Sequence, residues 1–257
     1  VKPKKALIPV PTFAEYEQAL TSCGCEVEHV LLREEDGFSL QDSFINWLHR
    51  DLDVVFLCNP NNPTGIPIER DFLFRVLRVC REMDILLVVD ECFLDFMKEP
   101  GRYSLKAQLS RYHNLFILKA FTKRYAMAGI RLGFVIANSE LISYVNRARS
   151  PYNVNSVTQA VGKIVLENKK YLNELTEEII NSKNELEKEL RALAEKYRGE
   201  FEVTETVTNF CIVTTKDGER IFEELKRNSV SVRFFASTGV MRITAGTAEE
   251  NKIFLNI

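Results

Sequence analysis

Apolar residues in the first two thirds of the chain come in short unbroken runs, separated by stretches in which they recur at helical spacing. KALIPV (5–10), EVEHVLL (26–32), DVVFLCNP (53–60), DILLVVD (84–90), NLFILKAF (114–121) and RLGFVIAN (131–138) read as strands. TFAEYEQALTSCG (12–24), ending near Gly24, and ERDFLFRVLRVCREM (69–83) read as helices between them. Continuous apolar strands alternating with amphipathic helices predict an α/β fold with a mainly parallel sheet and helices on both faces. Ligands of such sheets gather at the carboxyl ends of the strands. That rule singles out Asn59–Gly65, Asp90–Phe93 and Thr122–Lys123, each just past a strand end.

The pattern then changes. Residues 166–197 read as one long polar helix with a stripe of Leu172, Leu175, Ile179, Leu186, Leu190 and Leu193, broken at Lys183. A short, broken stripe suits a helix linking two domains better than a coiled-coil dimer. FEVTETVTNFCIVTT (201–215), ERIFEELKRNSV (219–230) and VMRITAG (240–246) read as strand, helix and strand, a small α+β unit. The expected division is a large domain over residues 1–170, then the linking helix and a small C-terminal domain over 171–257.

Composition narrows the function classes. With 257 residues, 46% hydrophobic and 27% charged, the chain is an ordinary globular sequence. A net charge of −2 gives no field for nucleic acid or an anionic membrane, so neither is expected as a partner. Apolar runs such as ILLVVD (85–90) are too short to span a bilayer. The six cysteines form no CxxC pair, and the CxC of Cys23 and Cys25 has no companion ligands, so no metal is expected. Free thiols fit a reducing, cytoplasmic setting. No signal-peptide pattern is visible; the chain begins at Val1 rather than Met, so residues upstream are expected.

The stretch ILKAFTKRYAMAGIRLGF (117–134) places Lys119 and Lys123 four apart around the end of an apolar run. On exposure statistics Lys119 reads as a solvated or edge cation. Asp90 taken alone reads as a helix cap, and NPNNPTG taken alone reads as a turn. Taken together and in order, CNPNNPTG (58–65), VVDECFLDF (88–96) and AFTKRYAMAGIRLG (120–133) resemble the class I/II aminotransferase superfamily. These are fold-type-I enzymes that use pyridoxal 5′-phosphate (PLP). The resemblance runs from IPVPTFAEY near the start through RITAGTAEEN at 242–251.

The resemblance implies a set of roles. Lys123 is the Schiff-base lysine, an amine suited to bonding the cofactor's aldehyde. Asp90 faces the pyridine nitrogen, where a carboxylate keeps the ring protonated and electron-withdrawing. Asn62 and the position of Phe93 face the ring's 3′-oxygen, Phe13 stacks on the ring, and Thr122 and Arg131 hold the phosphate. Arg242 and Arg233 are the implied anion ligands for substrate. The family's remaining phosphate contacts come from a glycine-rich helix start expected upstream, and family members are homodimers, which implies the same here.

Two branches compete, both acting on phosphorylated amino substrates. Histidinol-phosphate aminotransferases usually carry Tyr where Phe93 stands. FLCNPNNPTG, TKRYAMAGIRLG and Phe93 look more like L-threonine-O-3-phosphate decarboxylase, whereas SPYNVNSVTQA (150–160) and RITAGTAEEN look more like the aminotransferase. The balance leans slightly to the decarboxylase. A binding protein on the same fold with no catalysis is the remote alternative, disfavoured because it has no need of Lys123.

Overall fold

A computed structural model describes residues 2–236 and 238–257. The chain divides into two compact units: residues up to Asn62 with Ile66–Leu172, and Pro63–Gly65 with Asn173–Ile257.

The first unit holds a six-stranded sheet of β1 (Lys5–Val10), β2 (Glu26–Leu31), β3 (Val54–Cys58), β4 (Leu86–Asp90), β5 (Leu115–Ala120) and β6 (Gly133–Ile136). Its order is β2-β1-β3-β4-β5-β6. Every neighbouring pair is parallel except β5 and β6, which run antiparallel. Its helices are α1 (Glu15–Ser22), α2 (Arg70–Glu82), the single turn α3 (Pro100–Tyr103), α4 (Ser139–Ala148) and α5 (Ser156–Glu167). Strand alternation divides the apolar side chains between the two faces. Leu7, Val55, Leu57, Leu87, Val89, Leu115 and Ile117 pack with Phe72, Leu73, Val76, Leu77 and Cys80 of α2. Ala6, Ile8, Val54 and Val88 cluster with Cys25 and with Leu20 of α1. Helices therefore cover both faces, as the unbroken apolar runs predict.

Several boundaries differ from the sequence reading. Residues 166–197 are not one helix: α5 ends at Glu167 and α6 spans Lys169–Lys196. Between them Asn168 turns its side chain back to donate to the Ile164 carbonyl at 2.7 Å. The starts of α4 and α5 are set by Asn138 and Asn155, whose side chains accept the Leu141 and Thr158 N–H groups at 3.0 and 2.9 Å. The run at 131–138 is only a four-residue strand, and Arg131 at the start of the run adopts a left-handed conformation (φ 54°). Lys183 does not break the buried stripe: it is 4% exposed, and its Nζ donates to Glu187 Oε2 at 2.6 Å and the Thr206 carbonyl at 2.5 Å.

The second unit is an antiparallel sheet ordered β7-β8-β10-β9, from β7 (Phe201–Thr204), β8 (Phe210–Thr215), β9 (Arg233–Phe235) and β10 (Val240–Thr244). The expected single strand over 201–215 is thus a pair, with Phe201 opposite Thr215. Helices α7 (Gly218–Arg227) and α8 (Ala248–Leu255) accompany it. Leu186 and Leu190 of α6 pack with Cys211, Val213, Leu225, Met241 and Ile243. A capping box, Thr247 with Glu250, opens α8. No helix among the described residues is long and apolar enough to cross a membrane.

Candidate active site

The strand order of the first unit fixes where a site can form. After β1 the chain moves to one side for β2, then returns to the other side for β3. The connections leaving β1 and β3 diverge at this point, where ligands of such sheets bind beyond the carboxyl ends of the strands. Residues 11–16, 59–62 and 90–93 all leave strands there.

The loop after β3 is built by its own asparagines. Asn59, fully buried, donates its N–H to the Asp90 carbonyl at 2.8 Å, and its Oδ1 accepts Ile68 N–H at 2.8 Å. Asn61 donates to the Pro11 carbonyl at 2.9 Å, and its Oδ1 accepts the Thr12 hydroxyl at 2.7 Å. These bonds tie the β1 and β3 loops together, and Asn62 beside them is buried.

Both oxygens of Asp90 are held. Oδ1 accepts Cys92 N–H at 2.9 Å, and Oδ2 accepts the Tyr16 hydroxyl at 2.6 Å. Tyr16 stands at the start of α1, stacked on Phe56 at 5.4 Å and edge-on to Phe13 at 5.5 Å. Burial, then the neighbouring Cys58 and Asp90, push its phenol well above the usual range, so it stays a donor. Sequence reasoning missed Tyr16; its place three residues past Phe13, on one face of the opening helical turn, is the signal that could have found it.

Cys58, also missed, is the junction of these parts. Its thiol is buried, hydrogen-bonds with Tyr16 and the Asn62 backbone N–H, and feels the charges of Asp90 and Lys123. Burial and the Asp90 charge push the thiol far above its ordinary range, against the opposing pull of Tyr16, Asn62 and Lys123. It donates to the Pro60 carbonyl at 3.3 Å. The charges of Asp90 and Lys123 and the backbone N–H of Asn62, residues of three separate motifs, all act on this one thiol.

Lys123 lies past the end of β5 with its ammonium 4.9 Å from the centre of the buried Phe93 ring. Thr122 beside it is half-buried, and Phe13 is 42% exposed. Arg131 is exposed and spends one N–H on the Ala128 carbonyl at 3.2 Å, leaving most of its donors for another acceptor. Lys119 is not the solvated cation its type suggests: its side chain is 16% exposed and pairs with Asp95 at 3.2 Å and Glu91 at 3.7 Å. It is drawn inward because Glu91, 1% exposed, is a buried acid one residue past Asp90.

Arg233 and Arg242 belong to the second unit, directly opposite one another on β9 and β10. Side chains of opposed residues share a face. Arg242 lies over the Phe210 ring at 5.3 Å and Arg233 over Phe235 at 5.8 Å. Burial, then the charge of Arg233, lowers the Arg242 pKa. Two guanidiniums on one face repel each other, and an anion between them would offset that.

The model of the family described as aminotransferase class I and II matches residues 2–257. Among similar proteins, a histidinol-phosphate aminotransferase of Clostridium kluyveri is 36% identical over 206 residues, 79% of this chain and 55% of that protein. A threonine-phosphate decarboxylase of Salmonella typhimurium is 37% identical over 168 residues, 65% of this chain and 46% of that protein. The chain thus spans about half the length of these two relatives. The crystal structure of histidinol-phosphate aminotransferase from Clostridium acetobutylicum superposes with a TM-score of 0.90 at 27% identity, covering 99% of this chain and 76% of that one. With a family model matched across residues 2–257, the chain belongs to the class I and II aminotransferases, a PLP-dependent family of enzymes.

Proposed function

We propose that this chain carries the core of a PLP enzyme that acts on a phosphorylated amino substrate through Lys123. The observation that carries the reading is that neighbouring parallel strands deliver Asp90, held by Tyr16 and the Cys92 N–H, and Lys123, lying over the ring of Phe93 just past Asp90, at the same sheet edge. The donor set fits the cofactor: an amine at Lys123, a carboxylate fixed by two hydrogen bonds at Asp90, a buried amide at Asn62, an exposed ring at Phe13, and phosphate donors at Thr122 and Arg131. Bound PLP supplies an aldehyde for linkage to an amine and an electron-withdrawing ring. Asp90, held by Tyr16 and Cys92, keeps a proton at the ring nitrogen. The Lys123 amine moves a proton at the substrate's Cα. Arg233 and Arg242 bind the substrate's phosphate or carboxylate.

Within that reading the decarboxylase is favoured by Phe93, which turns a ring without a hydroxyl toward Lys123. The reaction replaces the carboxylate of L-threonine-O-3-phosphate by a proton and releases carbon dioxide. The aminotransferase is the second reading, favoured by the Clostridium kluyveri relative, whose match covers more of this chain than that of the decarboxylase. The family's homodimer belongs to both readings, and light scattering that finds an active monomer at micromolar concentration removes it.

The deciding experiment has two parts. Borohydride should trap PLP on the wild type and on Lys119→Ala but not on Lys123→Ala; the reverse pattern defeats the assignment. Carbon dioxide from L-threonine-O-3-phosphate, without glutamate from histidinol phosphate and 2-oxoglutarate, supports the decarboxylase; glutamate alone supports the aminotransferase.

A further inference from the structure

The cluster of Glu91, Asp95, Ser104 and Lys119 lies outside the residues assigned above, yet it joins the two segments that carry them. Asp90 pairs with Leu118 across the parallel β4 and β5 strands, so the next residues along, Glu91 and Lys119, come side by side. Asp90 reaches Tyr16 of α1, and Glu91 reaches the segment after α3. The Lys119 ammonium lies 3.2 and 3.3 Å from the two Asp95 oxygens and 3.7 Å from Glu91 Oε2. Glu91 accepts the Ser104 hydroxyl on its two oxygens at 2.9 and 3.0 Å and Leu105 N–H at 3.3 Å. Its own N–H donates to the Leu118 carbonyl at 3.0 Å.

Lys119 therefore ties the turn after β4 to β5, and through Glu91 residues 104–105 join them. The turn begins at Asp90 and contains Phe93; β5 leads directly to Lys123. Any slippage of the turn against β5 would move Asp90 and Phe93 relative to Lys123. Stability alone is a poor account of the arrangement. Two carboxylates share one ammonium, and burial makes the charged form of Glu91 unfavourable, raising its pKa against the pull of Lys119.

We propose that Lys119 is a positioning residue: by clamping Glu91 and Asp95 to β5, it holds Asp90 and Phe93 in register with Lys123. The proposal rests on the reading of Asp90 and Lys123 as partners of PLP. Replacing Lys119 by methionine leaves two neighbouring acids without their cation, and the turn relaxes away from β5.

The test uses the full chain in three measurements. In cofactor-free protein, the Lys119→Met variant should take up deuterium faster across residues 91–97, with uptake in β1 unchanged. On titration with PLP it should bind roughly tenfold to a hundredfold more weakly, the loss typical when partners that orient the groups holding a ligand are removed, as at metal sites. The pH midpoint of the visible band should move, borohydride should still trap the cofactor on Lys123, and Lys119→Arg should restore both affinity and midpoint. Adding Glu91→Gln to Lys119→Met removes one of the uncompensated charges and should recover part of the affinity. A variant that melts earlier but keeps wild-type PLP affinity and spectral midpoint overturns the proposal, as does unchanged deuterium uptake over 91–97. Wild-type protein that binds no PLP defeats the cofactor reading, whereas the deuterium result still judges the clamp. If Lys119→Met does not fold, Asp95→Asn weakens the same clamp and is judged by the same measurements.

Discussion

Lys119 and Lys183 each lie largely buried beside a carboxylate, one in each compact unit, and their acids respond to folding in opposite directions. Glu187 in α6 accepts the Lys183 ammonium at 2.6 Å and the Arg191 guanidinium at 2.8 Å. Burial pushes the Glu187 pKa up, but the hydrogen bonds from the two cations outweigh it and hold the carboxyl below its ordinary range. Glu91 has a hydroxyl, an N–H and a more distant ammonium, and there burial wins and the pKa rises. Folding therefore favours the charge on Glu187 and disfavours the charge on Glu91. The first cluster joins α6 to the loop before β8 and explains itself as stability. The second sits one residue from Asp90, where a cost in stability is expected of a site shaped for something else.

The largest effect should come from Lys183. Replacing it by methionine leaves the buried Thr206 carbonyl without its donor and Glu187 with Arg191 alone. Breaking a buried pair in this way costs about 3–5 kcal/mol, read as a lower urea midpoint with an unchanged slope. Lys119→Met should cost less, about 1–3 kcal/mol, because Asp95, with its side chain 22% exposed, can turn to water. A larger loss from Lys119 than from Lys183 would reverse the comparison.

Glu187→Gln comes next and sharpens the contrast through pH. A carboxyl whose folded pKa is lowered contributes stability above its unfolded pKa and loses it as pH falls through the folded pKa. At pH 7 the variant should therefore be less stable by about 1.5–3 kcal/mol, the range for a hydrogen bond to a charged group. The gap between variant and wild type should narrow as pH falls through the carboxylate range. A gap that stays constant with pH would mean that Glu187 acts through packing.

Much of the first unit was legible because a parallel sheet covered on both faces writes itself as unbroken apolar runs. The runs at 5–10, 84–90 and 114–121 contain β1, β4 and β5 within a residue or two at each end. The gap at Asn168 escaped because polar helices on either side of one asparagine share a single periodicity. The starts of α4 and α5 were marked by Asn138 and Asn155, but an asparagine in a loop and one at a helix cap look alike without coordinates. Lys183 reads as a break because its side-chain type suggests exposure; its i,i+4 spacing to Glu187 is the clue to the buried pair. The family motifs named residues on three loops, but nothing in sequence says that the Cys58 thiol is buried where their charges act on it or that Tyr16 reaches back from α1 to Asp90. The Tyr16–Asp90 bond crosses 74 residues and the Thr12–Asn61 bond 49, and only the folded sheet closes them.

The smallest effect, and the one with the opposite sign, is expected from Glu91→Gln. A carboxyl whose folded pKa is raised contributes stability that is fully present below its unfolded pKa and is lost as pH rises through the folded pKa. Wild-type protein should therefore lose this contribution on going from acid to neutral pH, whereas the glutamine variant has none to lose. Glutamine keeps an oxygen for Leu105 N–H, and the Ser104 hydroxyl can rotate to accept from its amide. Lys119 keeps Asp95. The net change at pH 7 should be under about 1 kcal/mol, less than one typical hydrogen bond, so it is best read as a difference between melting temperatures at several pH values. Relative to wild type, the variant should gain as pH rises, where Glu187→Gln should lose. If both variants lose ground as pH rises, Lys119 stabilises the Glu91 anion as fully as Lys183 stabilises that of Glu187, and the two clusters are the same device.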